Sequence, residues 1–493
     1  MACSGAAEEH IEVHEYGTFF IGGEFVAPRG TDTITVINPS TEEVVGRAPE
    51  GTQADVDAAV IAARRSFDSA DGWGGYTPHQ RADALNRLAD ELDARQEAIA
   101  TAVSSQNGMP LAVAGQLEIN YPSAVFRYYA RLAVTTAYEE RRPGFLGAGD
   151  TLIERRPIGV LAAIVPWNFP QALTAWKVGP ALAAGCTVVL KPSPETVLDS
   201  YLFAEAARAA GLPPGTVNIV PAGGAVGAYL VSHPGIDKVT FTGSTAVGRA
   251  IGEVCGRLLR PVTLELGGKS AAIFLDDVDL DLARIGEALF TTCLLNNGQT
   301  CFLTSRILAP RSRYDEVVDA ISALAGSVTV GDALDPSTQI GPMATAKHRD
   351  RVEGYIAKGK AEGARITVGG GRPASRPKGW FVEPTVFADV DNASTIAQEE
   401  IFGPVLSVIA YEDEDDAVRI ANDSAYGLGG AIWTGDPERG REMARRVRTG
   451  TVGVNRYLPD AAAPFGGVKA SGIGRDLGPE ALAAHLETKS IYV

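Results

Sequence analysis

From residue 157 onward, short apolar runs alternate with longer stretches whose apolar positions recur at helical spacing. Gly159-Val160-Leu161-Ala162-Ala163-Ile164-Val165 predicts a strand, followed by a helix at 170–184. Thr187-Val188-Val189-Leu190 predicts the next strand and 196–210 the next helix. Val217-Asn218-Ile219-Val220 with a short helix near 226–232, and Lys238-Val239-Thr240-Phe241 with a helix at 245–258, repeat the unit. Residues 262–266 add a fifth apolar strand. Strands apolar on both faces and separated by amphipathic helices form parallel sheets covered on both sides. Such sheets receive ligands at the carboxyl ends of their strands. A second α/β segment runs from about 266 to 455, with strands at 271–275 and 305–309 and helices at 280–295 and 313–325.

Upstream of this region the pattern is shorter in period. Phe19-Phe20-Ile21-Gly22-Gly23-Glu24-Phe25-Val26 predicts a hairpin whose Gly pair supplies positive φ. A second hairpin is expected around Pro39-Ser40, between 34–38 and 43–46. Thr52-Gln53-Ala54-Asp55 is a capping signature, and Val56, Ala59, Val60, Ala63 and Phe67 follow at helical spacing. Thr77-Pro78 opens another helix with Pro at its first position and Leu85, Leu88 and Leu92 on one face. Residues 138–156, charged and containing Gly, resemble a projecting hairpin, and 488–493 reads as a final strand. No repeat of solenoid period is found.

Composition then narrows the class. At 493 residues the length prior is about three domains, and 45% hydrophobic with 21% charged residues is ordinary for a globular protein. Forty-four basic against sixty acidic residues leave a formal charge of −16, which disfavours nucleic acid and anionic membrane surfaces as partners. The five cysteines, Cys3, Cys186, Cys255, Cys293 and Cys301, form no CxxC pair. Neither a structural zinc site nor a disulfide framework is expected, and no metal; a reducing compartment fits. The N-terminus carries Glu8, Glu9 and Glu12 and has no apolar core of a signal peptide, so a cytoplasmic location is expected.

Candidate chemistry lies in polar loops: a thiol-bearing run between two apolar segments, and four loops placed where a doubly wound sheet would receive its ligand. Asn296-Asn297-Gly298-Gln299-Thr300-Cys301-Phe302 presents one thiol on a turn-forming run, although a lone loop thiol is more often incidental than a nucleophile. In Pro166-Trp167-Asn168-Phe169-Pro170 two prolines fix the backbone around an amide able to donate to an oxyanion; an Asx turn explains Asn168 equally well. Gly243-Ser244-Thr245-Ala246-Val247-Gly248 opens a helix with small residues that let backbone amides approach a phosphate. It matches neither a P-loop nor GxGxxG. Leu264-Glu265-Leu266-Gly267-Gly268-Lys269 places a carboxylate at a strand end, as a base of raised pKa or as a salt-bridge partner of Lys269. Glu399-Glu400-Ile401-Phe402-Gly403-Pro404 is able to clasp a sugar and cover a ring, or to be a solvated acidic turn. Together Asn168, Glu265 and Cys301 make an oxyanion donor, a base and a nucleophile. None of the six histidines (His10, His14, His79, His233, His348, His485) is near them in sequence, so a Cys–His hydrolase is poorly supported.

These motifs, joined by Phe241-Thr242-Gly243-Ser244 and Pro464-Phe465-Gly466-Gly467, resemble the aldehyde dehydrogenase superfamily over nearly the whole chain and in family order. The resemblance implies an α/β fold with two doubly wound parallel α/β domains and a small β oligomerisation arm. Residues 1–130 with 155–265 would bind the dinucleotide, 266–476 would be catalytic, and 131–154 with 477–493 would form the arm of a homotetramer or homodimer. It implies that Cys301 attacks an aldehyde, that the Asn168 side chain and the Cys301 N–H hold the oxyanion, and that Glu265 activates water to release the acid. It also implies NAD as cofactor, with NADP the alternative. Val165, Trp167, Lys191, Ser193, Glu195, Gly243, Ser244, Gly248, Leu266, Glu400 and Phe402 would be the binding residues. Many members have Glu three residues after the lysine; here Pro194 stands there and Glu195 one place later. After Gly474-Arg475, Asp476 replaces the family's frequent Glu. Glu265 sets the chain apart from the coenzyme-A-acylating branch. Leu173, Trp176, Leu294, Phe302 and Tyr457 are expected to line an apolar channel for the aldehyde. The alternatives are a cofactor-independent cysteine hydrolase or acyltransferase, and a non-catalytic structural relative.

Overall fold

The computed structural model describes residues 13–147 and 149–493. Cys3, His10 and the acidic N-terminal residues used above lie outside them. The alternating apolar runs form the expected parallel sheet. Its five parallel strands lie in the order Val262–Glu265, Lys238–Thr242, Val160–Ile164, Thr187–Lys191, Val217–Ile219. The chain therefore winds outward from Val160–Ile164 in one direction and then in the other, and the crevice beside that strand is the topological switch point. The hairpin Phe19–Ile21/Glu24–Val26 extends one edge antiparallel, with Gly22 and Gly23 at φ 65° and 86° as its turn. At the other edge Gly472–Ile473 pairs antiparallel with Val262–Glu265. The expected catalytic segment 266–476 thus sends its last strand into the first sheet, because Leu264 and Glu265 offer an unpaired ladder there.

The two faces of this sheet differ. On Lys238–Thr242, Val239 and Phe241 pack with Ile251 and Cys255 of the helix Thr245–Arg257. Thr240 and Thr242 alternate to the opposite face. There lies the helix Pro170–Ala184, buried along its whole length, which carries Lys177 to the Thr240 hydroxyl (3.3 Å).

The second sheet has seven strands, in the order Arg365–Val368, Thr385–Ala388, Val405–Tyr411, Arg306–Pro310, Ala271–Phe274, Gly430–Trp433, Gly453–Val454, all parallel but the first. The strand Ala271–Phe274 is followed by the helix Leu282–Cys293, whose end delivers the chain into the Asn296–Cys301 loop. A third sheet joins Glu139–Pro143, Asp150–Pro157 and Leu486–Tyr492, the expected hairpin and final strand. The helices Gln53–Asp68 and Pro78–Asp93 begin at Thr52 and Thr77, each with a complete capping box. Among the described residues no helix is long and apolar enough to cross a membrane, and no cluster of His, Cys, Asp and Glu is grouped to hold a metal.

Candidate active site

Cys301 is reached by a turn of unusual backbone. Asn296 and Asn297 both sit in the left-handed region, at φ 50° and 61°, where Asn is the least penalised residue after Gly. Their side chains hold the turn in place. Asn297 Nδ2 donates to the carbonyls of Gly108 (2.8 Å) and Pro342 (3.0 Å), and its Oδ1 accepts the Gly341 N–H (2.6 Å). Asn296 Nδ2 donates to the Asn168 carbonyl (2.9 Å). Asn168 answers from the switch-point loop, its Nδ2 donating to the Gln299 carbonyl (3.0 Å). Asn168 therefore bonds the loop that carries Cys301, and an Asx turn on its own backbone does not account for it.

Cys301 stands between two cavities. One, of about 630 Å³, is apolar and lined by Phe169, Leu173, Trp176, Phe302, Leu458 and Phe465, with Asn168, Thr242, Glu265 and Cys301 at one end. The other, of about 310 Å³, carries Glu400, Phe402, Gly268 and Cys293 on its walls together with Cys301. A thiol at such a junction can meet a carbonyl from one side and a planar ring from the other. Of the expected channel residues, Leu173, Trp176 and Phe302 are present. Leu294 is not: it follows the last residue of the helix Leu282–Cys293 and is fully buried in the main core. Tyr457 stacks edge-on to Phe302 (5.4 Å) and faces a wider outer vestibule instead.

Glu265 is 2% exposed and neither carboxylate oxygen has a protein partner. Burial, then the nearby Asp476 carboxylate, push its pKa well above the usual range, while Lys177 and Arg475 oppose the shift. The salt bridge to Lys269 is not formed. Lys269 Nζ is itself buried without a partner, and burial beside Arg306 brings its pKa down to about 7. Asp476 is claimed by Lys177, in an ion pair at 2.8 Å that is almost fully buried. Lys177 was missed from the sequence, although a lysine in the apolar run 170–184 was a visible signal. Burial, then Glu400 and Glu265, drive the Cys301 thiol pKa far upward.

Of the residues expected to hold a nucleotide, all but Glu400 and Phe402 lie at strand ends of the first sheet or on the segments that follow them, and those two precede the second-sheet strand Val405–Tyr411. Ser244 caps the helix Thr245–Arg257. A Cβ on Gly248 would lie 2.4 Å from Leu266, so Gly lets the helix approach that strand end. Gly243 donates its N–H to the Glu265 carbonyl (3.0 Å). Val165 is buried and donates to the Lys191 carbonyl (3.2 Å). Lys191 Nζ donates to the carbonyls of Pro192 and Ala222, each at 2.7 Å, and burial lowers its pKa to about 8 against the pull of Glu195 and Glu50. Ser193 donates to the displaced Glu195. Glu400 accepts the Gly268 N–H (3.0 Å), and burial raises its pKa to about 7. Phe402, at φ 64°, meets Trp167 edge-on at 5.5 Å. This set fits a dinucleotide: a helix N-terminus for the pyrophosphate, a lysine and acids for one ribose, and a carboxylate and ring for the other. His348 Nε2 is 2.6 Å from the Phe402 carbonyl and its pKa falls to about 4 by burial; among the described residues no histidine lines either cavity beside Cys301.

Comparison with known proteins agrees with this geometry. The model of the aldehyde dehydrogenase family matches residues 25–491. A protein named geranial dehydrogenase from Castellaniella defragrans is 57% identical over 96% of this chain and 98% of its own length. The mitochondrial aldehyde dehydrogenase of Homo sapiens is 40% identical over 96% of this chain and 91% of its own. The crystal structure of a Mycobacterium tuberculosis aldehyde dehydrogenase complexed with NAD+ superposes with TM-score 0.95 at 46% identity, over 98% of this chain and 99% of that one. The chain belongs to the aldehyde dehydrogenase family.

Proposed function

We propose that this aldehyde dehydrogenase oxidises an apolar aldehyde to its carboxylic acid with NAD, through a thioester on Cys301. The carrying observation is the position of Cys301 between an apolar cavity that also holds Asn168 and Glu265 and a second cavity walled by Glu400 and Phe402. The Cys301 thiol gives up its proton to solvent, its sulfur adds to the carbonyl carbon, and the oxyanion takes the Asn168 amide and the Cys301 N–H. NAD supplies the hydride acceptor and a positive ring. Lys191, Ser193 and Glu195 would hold the adenosine ribose, Gly243, Ser244 and Gly248 the pyrophosphate, and Glu400, Phe402, Val165, Trp167 and Leu266 the nicotinamide end. Glu265 takes a proton from water, which attacks the thioester and frees the acid. Lys177, paired with Asp476, offsets part of the Asp476 charge felt at Glu265.

The substrate reading rests on the cavity's lining, which has no cationic side chain and few polar groups besides those at the reacting end. A narrow apolar space suits an extended hydrocarbon aldehyde, and geranial, the substrate named for the 57% identical relative, has that character. Residues 1–130 with 155–265 are read as the nucleotide domain, 266–476 as the catalytic one and 131–154 with 477–493 as the arm of a cytoplasmic homo-oligomer. The test compares kcat/KM for geranial, a short aliphatic aldehyde, a cationic aminoaldehyde and an anionic semialdehyde, each with NAD and NADP. Geranial with NAD should lead by at least tenfold; preference for a charged aldehyde would sink the substrate reading. Cys301→Ser should abolish oxidation and keep nucleotide binding. Thioester cleavage without nucleotide as the sole activity would return the hydrolase alternative.

A further inference from the structure

We infer that Glu118 is a positioning residue for the oxidation: its carboxylate caps the helix Pro170–Ala184 from a neighbouring element, and so sets Asn168 and two walls of the aldehyde cavity together. This rests on the proposed reaction, but the contacts stand by themselves. The helix Pro170–Ala184 opens without a local cap, because its N-cap residue is Phe169, which has no side-chain acceptor, and its first residue is Pro. The N–H groups of Gln171 and Ala172 therefore point into the protein interior and need an acceptor there. Glu118 supplies it, taking the Gln171 N–H at 2.7 Å on one oxygen and the Ala172 N–H at 3.4 Å on the other. Burial raises the Glu118 pKa well above the usual range, with Asp199 adding to the shift and the Gln171 and Ala172 N–H groups opposing it, and its oxygens face the positive pole of the helix.

Glu118 reaches that position through a local irregularity. The helical run from Leu111 to Thr135 is interrupted by a π-turn, Gly115–Asn120, and such widened turns gather at functional sites. Glu118, within it, is 1% exposed. Its neighbours Leu117 and Tyr121 line the aldehyde cavity, as do Phe169, Leu173 and Trp176 from the capped helix. Glu118 is thus the polar joint between two cavity walls. The joint is braced behind by Asp199, which accepts from Gln171 Nε2 (2.6 Å) and Gln106 Nε2 (2.5 Å). In front, the residue before the capped helix is followed back within two positions to Asn168, whose carbonyl takes the Asn296 amide. Loss of the cap would let the helix start and Asn168 shift relative to Cys301.

Glu118→Gln preserves shape and one acceptor; Glu118→Ala removes both. Single-turnover hydride transfer would be followed by NADH fluorescence on wild type and both variants, with NADH-binding stoichiometry measured on the same samples. A misplacement of about 1 Å can cost 10²-fold in rate, so we expect a drop of roughly thirtyfold for Ala and roughly threefold for Gln, at unchanged stoichiometry. The KM for a long aldehyde that spans both walls should rise more than that for a short one. A merely structural residue would instead lower the number of NADH sites and leave the rate constant of the remaining sites as in wild type. That outcome, or wild-type rates in the Gln variant together with wild-type KM values, overturns the inference. If Ala does not fold, Gln alone decides. A wild type that reduces no NAD with any aldehyde overturns the reaction itself, which is a separable result.

Discussion

Burial is the largest cause raising the pKa of both Cys301 and Glu265, the groups proposed as nucleophile and base. A thiol is a nucleophile only as thiolate, so kcat/KM should climb on the alkaline side. Glu265→Gln separates the two steps, since an amide cannot take a proton from water. Its turnover should fall by at least about 10², while a rapid burst of NADH, formed before the thioester is hydrolysed, persists. A variant that lost the burst and kept its turnover would remove Glu265 from the base role. Glu400 gives a second handle on pH. Its carboxyl is raised to about 7, chiefly by burial, and it is proposed to accept a ribose hydroxyl. Below that pH it is protonated and has one acceptor fewer; above it the carboxylate accepts more strongly. NADH affinity should therefore tighten by roughly tenfold as pH rises from 6 to 8, and Glu400→Gln should flatten the profile. A wild-type affinity constant across that range would contradict the assignment.

At the scale of elements, the loop that presents Cys301 is tied to two neighbouring segments by Asn297. Asn297→Ala removes three buried hydrogen bonds, leaves the Gly108, Pro342 and Gly341 backbone groups unpaired, and puts Ala in the left-handed region. The expected loss is about 3 kcal/mol, read as a lower midpoint of thermal unfolding together with reduced hydride transfer. A variant with wild-type midpoint and rate would show the loop to be held by something else. How legible these elements were follows from the range of the forces that make them. The helix Pro170–Ala184 and the strand Val160–Ile164 were readable because each is announced by a continuous local run bounded by Pro or Gly. The loops holding Asn168, Gly243 and Glu265 were readable because they fall at strand ends, and the Cys301 loop because a polar, turn-forming run separates two apolar segments. The Lys177–Asp476 pair was not, since its partners are separated by 299 residues and meet only through the sheet. Nor was the π-turn, because Gly115-Gln116-Leu117-Glu118-Ile119-Asn120 has no local signal that distinguishes it from an ordinary helix; packing against the next helix decides it. Leu294 was misplaced for a related reason: hydrophobicity marks a residue as buried without saying whether it faces a cavity or the core.

For the whole molecule, three of the four most exposed large apolar side chains among the described residues belong to the third sheet or its hairpin tip, the fourth being Leu259. At the tip of the hairpin between Glu139–Pro143 and Asp150–Pro157, Phe145 is fully exposed and Leu146 is 90% exposed, and the strand Leu486–Tyr492 ends in Tyr492 at 83%. A single chain gains nothing from holding such side chains in water, and clustered exposed apolar groups mark contact surfaces. They support the reading of this sheet as an oligomerisation arm. The pair Phe145→Asp, Leu146→Asp touches no residue of either cavity beside Cys301. In light scattering after size exclusion it should shift the protein to a smaller assembly. Because net charge is already −16, two further carboxylates brought together at an interface would repel, and the shift should be larger at low salt than at high. NADH binding per chain should stay as in wild type, since the residues proposed to hold the nucleotide lie in loops of the first and second sheets. An unchanged mass at low salt would mean that the tip carries no contact, and the arm would have to be sought elsewhere on the surface.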